Sequence, residues 1–144
     1  MRKIRALVGV MLLSVCLPAC GDDLMDETEA AEQEWENARP SRYEIVVQNR
    51  CECDITPIHT TVAGEQKTAL RVGTGEQAAP LGVEELFRKM LGYLRHDYAE
   101  AEAEFDSEWH YPTSFYVDPD KHWADEEWGF EVKCFAAGEA HCEK

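Results

Sequence analysis

No stretch of this 144-residue chain is both long and apolar enough to cross a bilayer as a mature helix. Its one apolar run, Ala6 to Leu17, stops short of the roughly 20 residues that a span requires. Basic residues are scarce too, with 14 Lys and Arg against 29 Asp and Glu and a formal net charge of −15. That balance argues against nucleic acid and against electrostatic attachment to anionic headgroups, and it favours solubility. There is no glycine-rich phosphate loop, no Walker sequence, no His-Glu-x-x-His, no Gly-x-Ser-x-Gly and no internal repeat. The familiar nucleotide, zinc-protease and serine-hydrolase chemistries therefore have no motif to rest on, and no organic cofactor is expected.

What the chain does have begins with a cationic head, Met1 to Arg5, followed by the apolar run and then by Leu17-Pro18-Ala19-Cys20. Charge, apolar length and small residue in that order make a secretory signal. Its end resembles the lipobox of bacterial lipoproteins, with Leu three places before the cysteine and Ala immediately before it. The resemblance implies cleavage before Cys20 and acylation of that residue. Each buried CH2 contributes only about 0.8 kcal/mol, so stable anchoring takes more than one chain. The expectation is a bacterial envelope protein attached to the membrane through Cys20. Because Gly21 rather than Asp follows the cysteine, the outer membrane facing the periplasm is favoured where the organism has one. Residues 1–19 then form the leader, 20–31 an acidic tether and 32–144 one folded domain.

Within that domain Val83, Leu86, Phe87, Met90, Leu91 and Leu94 share one stripe of a helix over Leu81 to Arg95, with Gly82 at its N-cap. Ala30 to Arg39 reads as a short helix that carries Trp35 inward and stops at Pro40. Strands are expected from Tyr43 towards Cys51, over Ile58 to Val62 and over Ala69 to Val72, with a turn at Ala63-Gly64-Glu65. Ala101, Ala103 and Phe105 alternate with Glu100, Glu102 and Glu104, which predicts a strand although Ala and Glu are good helix formers. Ser114 to Val117 and Gly129 to Phe135 add two more. The fold class is α+β: a single small domain with an antiparallel sheet of about five or six strands, one amphipathic helix packed on it and a short N-terminal helix.

The order of features resembles the DUF6174 family of uncharacterised exported bacterial proteins over about residues 32 to 135. The resemblance is carried by Trp35, Ser41-Arg42-Tyr43, Cys51-Glu52-Cys53, Val62-Ala63-Gly64 and Val83-Glu84-Glu85-Leu86-Phe87. It continues through Phe105-Asp106, Tyr111-Pro112-Thr113-Ser114, Asp118-Pro119-Asp120 and Ala124-Asp125-Glu126. Phe105 stands where the family usually has Tyr, His110 where it usually has Gly, and Cys134 and Cys142 look like additions. The resemblance implies an exported α+β domain and brings no activity or catalytic residue with it.

Cys51, Cys53, Cys134 and Cys142 remain once Cys16 is cleaved away and Cys20 acylated, and an exported compartment makes disulfides the default. Three connectivities exist. In a regular strand Cys51 and Cys53 would lie about 6.6 Å apart, the upper edge of disulfide reach, and a turn would shorten this. Because Cys-x-Cys resembles the family pattern while the distal pair looks added, Cys51 with Cys53 and Cys134 with Cys142 is preferred; cross-links between the two pairs stay open. A zinc site from Cys51, Cys53 and His59 lacks a second paired cluster. A redox role for Cys51-Glu52-Cys53 lacks the helix N-terminus that lowers a thiol pKa.

Phe105 to Trp128 gathers Asp106, Glu108, His110, Asp118, Asp120, Asp125, Glu126 and Glu127 among Trp109, Tyr111, Tyr116, Trp123 and Trp128. The preferred reading is a non-enzymatic module presenting this surface to an envelope protein partner. One alternative is a calcium site from Asp118, Asp120, Asp125 and Glu126, although turn capping accounts for the same residues. Another is a small hydrolase in which His110 or His122 acts on Ser114, with Asp106 or Asp118 as orienting carboxylate.

Overall fold

The computed structural model describes residues 22–122 and 126–143, and within them hydrophobic periodicity sets each element. The order is α1 (Asp22–Ala38), β1 (Arg42–Arg50), β2 (Ile58–Ala63), β3 (Gln66–Arg71), α2 (Val83–Leu94), β4 (Glu100–Phe105), β5 (Pro112–Asp118) and β6 (Trp128–Ala137). All six strands join one sheet in the order β3-β2-β1-β6-β5-β4, with every neighbouring pair antiparallel. The α+β class follows.

Both helices cover the same face. Val83, Leu86, Phe87, Met90, Leu91 and Leu94 are the buried stripe of α2, and they meet Tyr43, Ile45 and Val47 of β1, Phe115 and Val117 of β5 and Phe130 of β6. Val46 and Gln48 point the other way, with His59 opposite Val46 on β2 and Cys134 opposite it on β6. The ladder then steps from Val46↔Cys134 to Val47↔Val132, so Lys133 is the extra residue of a bulge. Alternation wins over helix propensity in β4, where Glu100, Glu102 and Glu104 are exposed and Ala101 and Ala103 pack inward. Gly129 has no room for a side chain, since a Cβ there would fall 2.3 Å from the Phe115 carbonyl oxygen.

The stretch 20–31, expected to be a solvated tether, is helical from Asp22. Leu24 and Met25 pack against the core, while Thr28 and Ala31 are buried on the same stripe as Trp35. The Thr28 hydroxyl donates to the Leu24 carbonyl at 2.7 Å, which satisfies it inside the interface. The N-terminal helix is thus not short: it runs 17 residues and lies along α2, reaching β4. Trp35, fully buried, meets Tyr43 edge-on at 5.3 Å and Phe135 at 5.9 Å.

The start of α2 is fixed by acceptors from the sheet and from its own first turn. Thr60 accepts from Leu81 N–H at 3.0 Å, the Tyr43 hydroxyl accepts from Val83 N–H at 3.0 Å, and the Glu85 carboxylate accepts from Gly82 N–H at 2.9 Å. Two of the orphan amides of the helix N-terminus, those of Gly82 and Val83, are met in this way, and the Leu81 bond fixes the chain just before the cap.

Candidate functional site

Two carboxylates are ringed by donors, and they lie on opposite faces of the sheet. Glu84, in the first turn of α2, accepts from the Tyr43 hydroxyl at 2.9 Å, Trp35 Nε1 at 3.3 Å, Arg39 at 2.9 Å and Lys67 at 3.1 Å. Burial pushes its carboxyl up, but its own backbone N–H, Tyr43, Arg39 and Lys67 outweigh that and bring it down to about 2. Burial beside Glu84 raises the Tyr43 phenol in turn. This cluster joins α1, β1, β3 and α2 and reads as a structural tie.

Glu44 belongs to the open face. It is 7% exposed and accepts from His141 at 2.8 Å, His59 at 3.1 Å and the Cys142 N–H at 3.1 Å. Burial again works upward on its carboxyl, and the donors His141, Cys142 N–H and His59 carry it below the ordinary glutamate range. The Cys134–Cys142 disulfide, with Cα atoms 5.8 Å apart, folds the C-terminal segment back so that Cys142 packs on Val46 and Ala136. The alternation of β1 marks Glu44 as outward-facing, and nothing local in the sequence indicates that a tail from the far end of the chain covers it.

The aromatics of Phe105 to Trp128 are largely consumed in packing. Tyr111 stacks on Phe135 at 4.3 Å, Phe105 on Phe87 at 6.3 Å and Trp128 on Tyr93 at 5.1 Å, while Trp109 meets Phe135 at 6.4 Å. Asp106 caps the β4–β5 turn through the Glu108 and Trp109 N–H groups at 2.9 and 2.7 Å. Tyr116 differs: it alternates with Phe115 and Val117 on β5 and sits on the open face, where burial and the neighbouring Glu127 raise its phenol.

The expected calcium ligands lie in mixed surroundings. Asp118 is buried at the end of β5, and its Oδ1 has no hydrogen-bond partner among the described residues. Asp120 accepts from the His122 N–H at 2.9 Å and its ring at 2.8 Å, as a turn residue does. Glu126 is exposed, and Asp125 lies outside the described residues, as do Trp123 and Ala124. Among the described residues no three His, Cys, Asp or Glu side chains converge to hold a metal. For the hydrolase reading, His110 sits in the turn before β5 and His122 follows it, at opposite ends of a strand about 20 Å long. Ser114 pairs with Glu131 and Glu104 in the ladder.

Among the grooves formed by the described residues, one of about 460 Å³ lies on the open face, lined by Gln48, Asn49, Arg50, Cys51, Ile55 and Tyr116 together with Glu52, Glu127 and Glu131. β2 begins opposite Val47, so Gln48 to Arg50 have a strand partner on β6 only. Gln48 donates to the Ile55 carbonyl at 3.2 Å, which steadies the loop that forms the other wall. At the groove's mouth Cys51 and Cys53 form the second disulfide, with Cα atoms 5.2 Å apart. Ile55 is 53% exposed.

A six-stranded antiparallel sheet with two helices on one face and a grooved, tail-clasped second face defines a small α+β domain. The chain belongs to DUF6174, a family of unknown function whose sequence profile matches residues 27–137. The match begins inside α1, in keeping with a helix that is part of the domain. No curated protein and no solved structure matches the chain.

Proposed function

We propose that this protein is a bacterial envelope lipoprotein, anchored through Cys20, that docks a protein partner on the open face of its sheet. The observation that carries the docking reading is the groove on the sheet's open face, floored by Gln48 and Arg50 of β1, Glu131 of β6 and Tyr116 of β5 and walled by the loop that carries Ile55. It combines an exposed aliphatic side chain, an aromatic ring and polar rim groups, the make-up of a surface that receives a polypeptide segment. The sequence Leu17-Pro18-Ala19-Cys20 supports the anchor.

Labelled palmitate is expected at Cys20, and Cys20→Ala should move the protein from the membrane fraction to the soluble one. Retention of an unacylated mutant on the membrane would overturn the anchor. For the groove, a photo-crosslinking residue placed at Gln48 should give a discrete adduct in intact cells, while one at Glu29, exposed on α1, should not.

A second reading is favoured by one observation, the unpartnered Oδ1 of Asp118: a calcium ion at the end of β5. Millimolar calcium would then raise the melting temperature, and Asp118→Asn would remove the shift.

A further inference from the structure

We propose that Cys51–Cys53 is a thiol–disulfide exchange site for cysteine-bearing polypeptide segments lodged in the groove. The inference rests on the docking reading above.

The two disulfides of the domain differ in what surrounds them. Cys142 is 4% exposed, packs on Val46 and Ala136, and donates its N–H to Glu44, so its sulfur is closed to an incoming thiolate. Cys53 is exposed and Cys51 half-buried, in a bend beyond the end of β1. Attack needs access to one sulfur, and exposed disulfides are the ones that exchange. A bridge across a single intervening residue also restrains the unfolded chain far less than one spanning Cys134 to Cys142, so the fold depends on it less.

The groove selects for polypeptide. Cys51 is one of its lining residues and follows Gln48 to Arg50 on β1, so an extended chain laid in the groove over these residues runs towards the disulfide. The pair is bridged, so it is the electron acceptor, and the incoming thiolate comes from the partner. A partner thiolate attacks Cys53 Sγ, the Cys51–Cys53 bond breaks, and Cys51 leaves as a thiolate that takes a proton from water. A second partner thiolate then attacks the partner sulfur of the mixed disulfide and releases Cys53. The partner dithiol loses two electrons and becomes a disulfide, and the site gains them as two thiols, one exchange per chain.

The test is incubation of the full mature chain in graded reduced and oxidised glutathione, followed by alkylation and thiol mapping by mass spectrometry. Cys51 and Cys53 should become alkylated at ratios that leave Cys134–Cys142 intact, and Cys51→Ser should accumulate a glutathione adduct at Cys53. A dithiol peptide of about ten residues should be oxidised at least tenfold faster than glutathione at equal thiolate concentration, with Tyr116→Ala lowering the peptide rate and leaving the glutathione rate unchanged. Reduction of both bridges at the same ratio, or a peptide rate insensitive to Tyr116→Ala, overturns the proposal. A crosslink at Gln48 without any exchange would leave docking standing and sink this inference alone.

Discussion

The Glu44 carboxylate on β1 and the His141 ring near the C-terminus, 97 positions apart in sequence, meet at 2.8 Å on the open face of the sheet. With His59 and the Cys142 N–H they hold the tail against Val46. Because the folded-state pKa of Glu44 is depressed, this tie is at full strength above the ordinary glutamate value of 4.5 and is lost as pH falls through the lower folded value. Glu44→Gln should cost about 1–3 kcal/mol at neutral pH and flatten the acid limb of a plot of stability against pH. Urea melts from pH 3 to pH 7 measure both. An unchanged acid limb would mean that the tail is not clasped through this group.

Glu84 should behave likewise with a longer reach into acid. Its carboxyl, at about 2 in the folded protein, contributes above 4.5 and is lost only towards pH 2. Glu84→Gln should destabilise by roughly 2–3 kcal/mol near neutrality, because Arg39 and Lys67 lose a charged partner and the Tyr43 hydroxyl a strong acceptor. Arg39→Ala, at an exposed position, should cost less than 1 kcal/mol.

On α2, Phe87→Ala and Leu91→Ala should each cost about 2–5 kcal/mol, since both side chains are buried in the stripe. Lys89 is exposed, with its ammonium 5.2 Å from the Trp128 ring centre, so Lys89→Ala should cost at most about 1 kcal/mol. Thermal melts of the three variants decide; equal losses would place the register wrongly.

The two disulfides should separate in stability as well as in chemistry. In the chain-entropy picture, removing Cys134–Cys142 by Cys134→Ala with Cys142→Ala should cost about 2–3 kcal/mol, and more if the clasp on Glu44 loosens. The Cys51→Ala with Cys53→Ala pair should cost about 1.5 kcal/mol or less. Non-reducing peptide maps should show both local pairs, and a peptide linking Cys53 to Cys142 would contradict the fold as described.

Sequence periodicity carries much of this architecture. The six large side chains of α2 state its register outright, and the strict Ala/Glu alternation of 100–105 identifies β4 against local propensity. The first half of α1 is harder to read, because its inward stripe is built from Leu24, Thr28 and Ala31 among five acidic residues, Asp22, Asp23, Asp26, Glu27 and Glu29, and small side chains give little periodic signal. The aromatic stretch misleads for the opposite reason. Trp109, Tyr111 and Trp128 look like interface anchors until the β5–β6 pairing and the return of Phe135 supply partners from elsewhere in the chain. The groove and the Glu44 clasp depend on where β2 begins and where the tail lands, and both are set by long-range pairing.

The start of α1 bears on how such a domain could work at a surface. Cys20 and Asp22 are two residues apart, a span of at most about 7 Å, and α1 is about 25 Å long and docked along its length. An acyl group on Cys20 would therefore leave the domain almost no lead. It would sweep a shell a few nanometres deep, with α1 as a fixed strut and the sheet's open face turning about a single pivot. Partners embedded in the same leaflet or projecting from it would be within reach, and those deeper in the compartment would have to come to it.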